Sequence, residues 1–187
     1  IPGIQAGRYD AGVAGISITA DRLKNCDFSD PYFLANQVIV VNPGSDIQSK
    51  ADLTGKTIAV QTGTTAETYL TKEYPDIPLQ KYDSYATAKN ALENGNGVAW
   101  ANDNTEVIAF AKQNSGYTVG IPSLGSQDTI APAVSKGNTT LLDWINDEIV
   151  KLGKENFFHK DYEETLVDTY GLDYEDELVV EGGETNA

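Results

Sequence analysis

Short apolar runs alternate along this chain with segments of helical spacing, and that alternation narrows the possible folds more than any other feature. Val38 to Val41, closed by the turn signal Asn42-Pro43-Gly44-Ser45, and Thr57-Ile58-Ala59-Val60 have strand length and strand composition. Further strands are predicted at 98–101, 117–119 and 130–134. Helical segments lie between them: 64–74, 84–94 from Ser84 to a stop at Gly95, 104–114 ending before Gly116, and 139–152, where Leu141, Leu142, Ile145, Ile149 and Leu152 keep a helical period. Strands interleaved in this way with helices build an α/β fold. Ala11-Gly12-Val13-Ala14-Gly15-Ile16 reads as one more strand, buried on both faces, with glycines that let another group approach its end.

Charge and composition then exclude several classes of function. The 187 residues are 40% hydrophobic and 22% charged, enough for a globular core. A net charge of −15, spread along the chain, repels the phosphates of nucleic acid and anionic lipid headgroups. No apolar run approaches the length of a membrane span, so no direct membrane insertion is expected of this segment. Cys26 is the only cysteine and His159 the only histidine, which leaves no disulfide framework and no expected metal site or cofactor. The sequence starts at Ile1 and contains no Met, so it reads as a fragment, with any signal peptide or lipid anchor lying upstream. The acidic stretch 173–184 reads as a solvated tail, and Asp161, Glu163 and Glu164 as a solvated helix face.

Three places carry residue types suited to binding chemistry. Thr64-Thr65-Ala66-Glu67 fits a capping box directly after a strand and Gly63, so the loop Gln61-Thr62-Gly63-Thr64-Thr65 aims backbone N–H groups and a positive helix end at one spot. That suits a carboxylate or phosphate, although no Gly-Lys-Ser/Thr follows as a P-loop requires, and the same pattern serves an ordinary capped helix. Thr19 can cap a short turn that carries Arg22, one of only two arginines among 13 basic residues. Its planar fork matches a carboxylate, and the alternative for it is a surface ion pair with Asp21 or Asp27. Asp103 ends an apolar segment and either holds an ammonium group or caps the helix that begins near Asn104.

These residues stand in an order that resembles the amino-acid-binding proteins of bacterial ABC importers, the extracellular solute-binding family 3. Gly7-Arg8-Tyr9-Asp10, Ala14-Gly15-Ile16-Ser17-Ile18-Thr19-Ala20-Asp21-Arg22 and Asp27-Phe28-Ser29-Asp30-Pro31-Tyr32 carry the likeness. It continues through Asp52-Leu53-Thr54-Gly55-Lys56, Val60-Gln61-Thr62-Gly63-Thr64-Thr65 and Ser135-Lys136-Gly137-Asn138 to Phe157-Phe158-His159-Lys160.

The resemblance implies a two-lobed α/β fold of the type II periplasmic-binding-protein kind, with two crossover strands, closing around one amino acid. The first lobe would comprise 1–36 and 129–187 and the second 37–128, with the crossovers near Tyr32–Asn36 and Thr129–Ala133. The family's opening strand, helix and second strand are absent here, which leaves the first lobe incomplete at its N-terminus and with an exposed edge.

By the same resemblance, Arg22 and Ser17 hold the ligand carboxylate, and Thr64 and Thr65 donate to it from the other lobe. Gly15, through its carbonyl, and Asp103 hold the ammonium, while Gln61 faces the ligand side chain. Residue 98 is Val where the family usually has Asp, a departure expected to touch packing. The implied protein is an extracellular or periplasmic receptor, free or tethered to the outer face of the membrane. It would deliver a polar L-amino acid, with glutamate, aspartate or glutamine favoured, to ABC permease subunits, and it would not be an enzyme. The alternatives are a ligand-binding sensory domain, or a dehydratase on the same fold.

Overall fold

The computed structural model describes residues 1–125 and 127–184. In chain order the strands are β1 (Ala11–Gly12), β2 (Cys26–Phe28), β3 (Phe33–Ala35), β4 (Gln37–Val41), β5 (Ile58–Gln61), β6 (Leu79–Tyr82), β7 (Ala99–Asp103), β8 (Thr118–Ile121), β9 (Asp128–Ile130) and β10 (Ala133–Ser135). The α-helices are α1 (Pro2–Gln5), α2 (Ala20–Leu23), α3 (Thr65–Glu73), α4 (Tyr85–Glu93), α5 (Asn104–Gln113), α6 (Thr139–Gly153), α7 (Phe157–Thr165), α8 (Val167–Tyr170) and α9 (Glu175–Leu178). Two compact units result, with boundaries between Ala35 and Asn36 and between Gln127 and Asp128.

The uninterrupted unit, 36–127, is built on a five-stranded sheet of order β6-β5-β7-β4-β8. β5 runs parallel to β6 and β7, whereas β4 runs antiparallel to β7 and β8. Every residue of β4 is buried, because both faces of the sheet are covered. On one face Ile39, Val41, Ile58, Val60, Ala99 and Ala101 pack with Ala66 and Leu70 of α3. On the other, Val38, Val40, Ala59 and Trp100 pack with Ala88 and Leu92 of α4 and Val107 and Phe110 of α5. Trp100, fully buried, meets Tyr85 and Phe110 edge-on at centroid distances of 5.2 and 5.7 Å. Local signals start the helices as expected. Thr64 caps α3, and Ser84 and Thr87 form a reciprocal capping box at α4.

The other unit joins the two flanking segments through β10, which lies between β1 and β2 in an antiparallel sheet, and through the separate antiparallel pair β3 and β9. Its first cluster is small: Ile4 from α1, Cys26 and Ala133, with Ile1, Ile16 and Phe28 around them. Burial raises the Cys26 thiol, which suits a small core residue rather than a reactive one.

Three expectations are corrected here. The stretch 11–16 is not one buried strand: only Ala11 and Gly12 pair with β10, and Val13 is 70% exposed. A single strand over 130–134 is split at Pro132, which has no N–H for a ladder and whose carbonyl accepts from Ser29 instead. Val98, read as a packing position, is exposed.

The acidic stretch 173–184 is also more than a solvated tail. Asp176 and Glu177 do face solvent, but Leu178, Val179 and Val180 are buried. Leu178 and Val179 join Tyr162 and, around it, Phe33, Phe158 and Tyr174. Val179 bridges to Phe33, and Val180 donates its N–H to Tyr32 at 3.1 Å. Gly153, at the end of α6, approaches the Gly182 backbone so closely that a Cβ there would clash with it. Replacing buried Leu178 by Ala should therefore cost about 3 kcal/mol in urea unfolding, whereas a merely solvated segment would register almost no change.

Candidate functional site

In the first unit, the segment from Gly15 to Arg22 is fastened at both ends. Ser17 forms an isolated bridge with Ile130, Ile18 donates its N–H to Thr129 at 2.8 Å, and Ala131 donates to Ile16 at 3.3 Å. Thr19, with extended backbone (φ −136°, ψ 154°), accepts the Arg22 N–H on its hydroxyl and starts α2. Arg22 then turns back, and its Nη1 donates to the Ser17 carbonyl at 2.8 Å. A guanidinium carries five donors, so this bond orients the group without exhausting it. Neither surface pairing considered for Arg22 is formed as such: Asp21 is held by Lys24 at 2.6 Å, and Asp27 by Lys136 and the Gly137 N–H. Gly15 is exposed, and a Cβ built on it would meet nothing within 4 Å. Ser17 is buried, at 2% exposure.

In the second unit, strand direction gathers the remaining candidates. β5 and β7 are parallel, so Gln61 and Asp103 end neighbouring strands at the same edge of the sheet. There α3 and α5 begin, the edge where α/β sheets place ligands. β4 runs the other way, so its first residue, Gln37, arrives at that edge as the cross-strand partner of Asp103.

Thr64 serves the loop itself. Its hydroxyl donates to the Gln61 carbonyl at 2.8 Å and accepts the Glu67 N–H at 3.2 Å. The Thr64 side chain is thereby committed to the loop, and Thr65 follows it as the first residue of α3. The N–H groups of Thr65 and Ala66 have no acceptor among the described residues, as the first turn of a helix leaves them. Asp103 sits at the N-cap of α5, but its side chain makes no capping bond; Asn104 accepts the Thr105 N–H instead. The helix-capping alternative for Asp103 is therefore not realised.

Two contributors lay outside the sequence candidates. Gln37, 3% exposed, donates from Nε2 to the Thr65 hydroxyl at 3.1 Å. Its signal in the sequence was an amide opening an otherwise aliphatic strand. Glu67 goes further than the capping role assigned to it: one oxygen accepts the Gly63 N–H at 2.6 Å, and the other pairs with Lys81 of β6 at 2.8 Å. His159 belongs to the packing of the first unit, with its Nδ1 3.0 Å from Glu181 Oε1 and its N–H donated to the same oxygen.

The Lys81 hydrogen bond, followed by the Gly63 N–H, holds the Glu67 carboxyl below its usual 4.5. A carboxylate depressed in the folded state adds stability that is complete above the unfolded value and is lost as pH falls through the folded one. Glu67→Gln should accordingly unfold about 1 kcal/mol more easily than the parent at neutral pH. That difference should close only below pH 4.5. Thermal unfolding of both proteins across the acid range measures it.

The sequence matches the family described as bacterial extracellular solute-binding proteins, family 3, over residues 1–165. It is 32% identical over 170 residues to the ABC transporter glutamine-binding protein GlnH of Bacillus subtilis, covering 89% of this chain and 61% of that one. It is 37% identical over 120 residues to the glutamine-binding protein of Geobacillus stearothermophilus, covering 64% of this chain and 46% of the other. The chain thus spans about half to three-fifths of these relatives. Among solved structures it is similar to the cysteine-binding protein of Campylobacter jejuni, with a TM-score of 0.93, 38% identity, and coverage of 96% of this chain and 73% of that one.

Proposed function

The chain belongs to the bacterial extracellular solute-binding proteins of family 3 and has the α/β fold of type II periplasmic binding proteins; from that premise we propose that it is part of a receptor that captures an amino acid outside the cell and delivers it to an ABC permease. The observation that carries this reading is the setting of Arg22. In a chain of net charge −15, this arginine is oriented by its own segment while lysines hold the acids on either side of it. An oriented guanidinium matches the two oxygens of an α-carboxylate.

The other candidates take complementary parts. Ser17 supports the carboxylate beside Arg22. The start of α3, with the Thr65 hydroxyl and the N–H groups of Thr65 and Ala66, offers further donors, and Thr64 holds that loop in shape. Asp103 pairs with the ammonium group, and Gly15 accepts from it through its carbonyl, with no side chain to obstruct a ligand. Gln61 contacts the ligand side chain. The first unit supplies Gly15, Ser17 and Arg22, and the second Gln61, Thr64, Thr65 and Asp103.

Binding rather than catalysis is supported by Glu67, the acid nearest the α3 loop. It is committed to Gly63 and Lys81, and an ionised, doubly bonded carboxylate is a poor proton shuttle. For the ligand we favour glutamine, glutamate or aspartate. Two of the relatives described above are named as glutamine-binding, and the solved structure as cysteine-binding.

Isothermal titration with L-glutamine, L-glutamate, L-aspartate, L-cysteine and L-arginine should show micromolar or tighter affinity for one of them. Arg22→Ala should weaken it by about 2–3 kcal/mol, roughly 30- to 150-fold. An Arg22→Ala protein that binds as tightly as the parent would remove the carboxylate role.

Gly15→Ala separates binding from folding. Its side chain would meet only open space, so the melting temperature should hold while affinity falls. Unchanged affinity would take Gly15 out of the site.

A further inference from the structure

Gln37 opens a strand whose other residues are Val38, Ile39, Val40 and Val41, and it is as buried as they are. A buried amide has to satisfy its polar atoms inside the protein, so its presence there demands a partner and a reason. The partner is Thr65: Gln37 Nε2 donates to the Thr65 hydroxyl oxygen at 3.1 Å. From this geometry we infer that Gln37 is a positioning residue for ligand capture, fixing the Thr65 hydroxyl as a hydrogen-bond donor at the start of α3.

Proton count decides what the Thr65 hydroxyl can do. A hydroxyl has one hydrogen, and when its oxygen accepts from Gln37 that hydrogen is directed elsewhere. Beside it lie the Thr65 and Ala66 N–H groups, without acceptors among the described residues, at the positive end of a helix of 9 residues. The hydroxyl thus becomes a third donor in a cluster suited to a carboxylate.

Register adds a second function for the same residue. Gln37 is the cross-strand partner of Asp103, and paired residues share a face of the sheet. That face also carries Ile39, Val41, Ala99 and Ala101, against which α3 packs through Ala66 and Leu70. Through its backbone Gln37 fixes Asp103, and through its side chain it fixes Thr65. The spacing within this unit between an acceptor for an ammonium and donors for a carboxylate is set by one residue. This inference rests on the receptor reading and assigns it a residue that touches no ligand.

The test uses the whole chain with Gln37→Met, which keeps length and removes the donor, Gln37→Glu, which reverses the bond, Thr65→Val, and the Gln37→Met/Thr65→Val pair. Titrations use whichever of L-glutamine, L-glutamate, L-aspartate, L-cysteine or L-arginine binds the parent. Gln37→Met should weaken that affinity about tenfold, and Gln37→Glu by more, since the new carboxylate takes the Thr65 proton and repels the ligand's. In the Thr65→Val background, Gln37→Met should cost nothing further. A role confined to packing predicts the same loss in both backgrounds. Parent-like affinity of Gln37→Glu, or additive losses, overturns the inference and leaves the receptor reading intact.

If the parent binds none of these amino acids, the receptor reading fails for this chain, and acetate decides about Gln37. Chemical-shift changes at the Thr65 and Ala66 amides on titration with acetate should be present in the parent and lost in Gln37→Glu. Equal or absent changes in both proteins overturn the assignment.

Discussion

Burial of β4 on both faces is the constraint on which the second unit depends. A strand that shows no face to water needs helices on either side, and here α3 covers one face while α4 and α5 cover the other. Once helices must return over the sheet after β5 and after β7, their N-termini fall at the edge where those parallel strands end. Gln61, Thr65, Asp103 and Gln37 meet at that edge because of strand direction, not because of any nearness in sequence. The apolar layers hold the backbone fixed, so the polar groups at the edge are positioned before a ligand arrives, which limits the ordering that binding would require.

How much of this was legible in the sequence depends on whether a signal was local. Thr64, Ser84 and Thr19 each announced a helix start through a cap a few residues away, and each helix begins there. Four of the five strands of the sheet were placed within a residue or two of their observed ends, because a covered sheet demands continuous aliphatic runs; β6 was missed, since its Leu-Gln-Lys-Tyr edge strand carries no such run. Pairing between distant segments was not legible. Gln37 finds Thr65 across 28 residues, and Glu67 finds Lys81 on the next strand, so neither role could be read from a window around one residue. The break at Pro132 did have a local signal, since a proline lacks the N–H that a ladder needs. In 11–16 small apolar residues suggested burial, but Val13 and Gly15 lie exposed beyond a strand of only two residues.

The C-terminal segment shows how charge can hide packing. Six acids between 173 and 184 dominate its composition, and averaging over them conceals Leu178-Val179-Val180. Those three bury themselves while Asp176 and Glu177 point outward, which is the behaviour of one short amphipathic element and not of a tail. His159 adds a polar fastening through Glu181.

Acidity also gives the basic residues unusual informational weight. With 28 acids to 13 lysines and arginines, most cations would be expected to find a nearby carboxylate. Several do: Lys24 with Asp21, Lys81 with Glu67, Lys136 with Asp27. The effect is that acids close in sequence to Arg22 and to the α3 loop are already neutralised by lysines, so the field near each set of donors is less negative than the net charge suggests. Long-range repulsion from a charge of −15 is screened beyond about 8–10 Å at ordinary ionic strength. A carboxylate-bearing ligand can therefore approach an acidic protein, provided the acids within that distance are paired. Pairing of Asp21, Asp27 and Glu67 with lysines lowers the local repulsion that an anionic group would meet near Arg22 and the α3 loop.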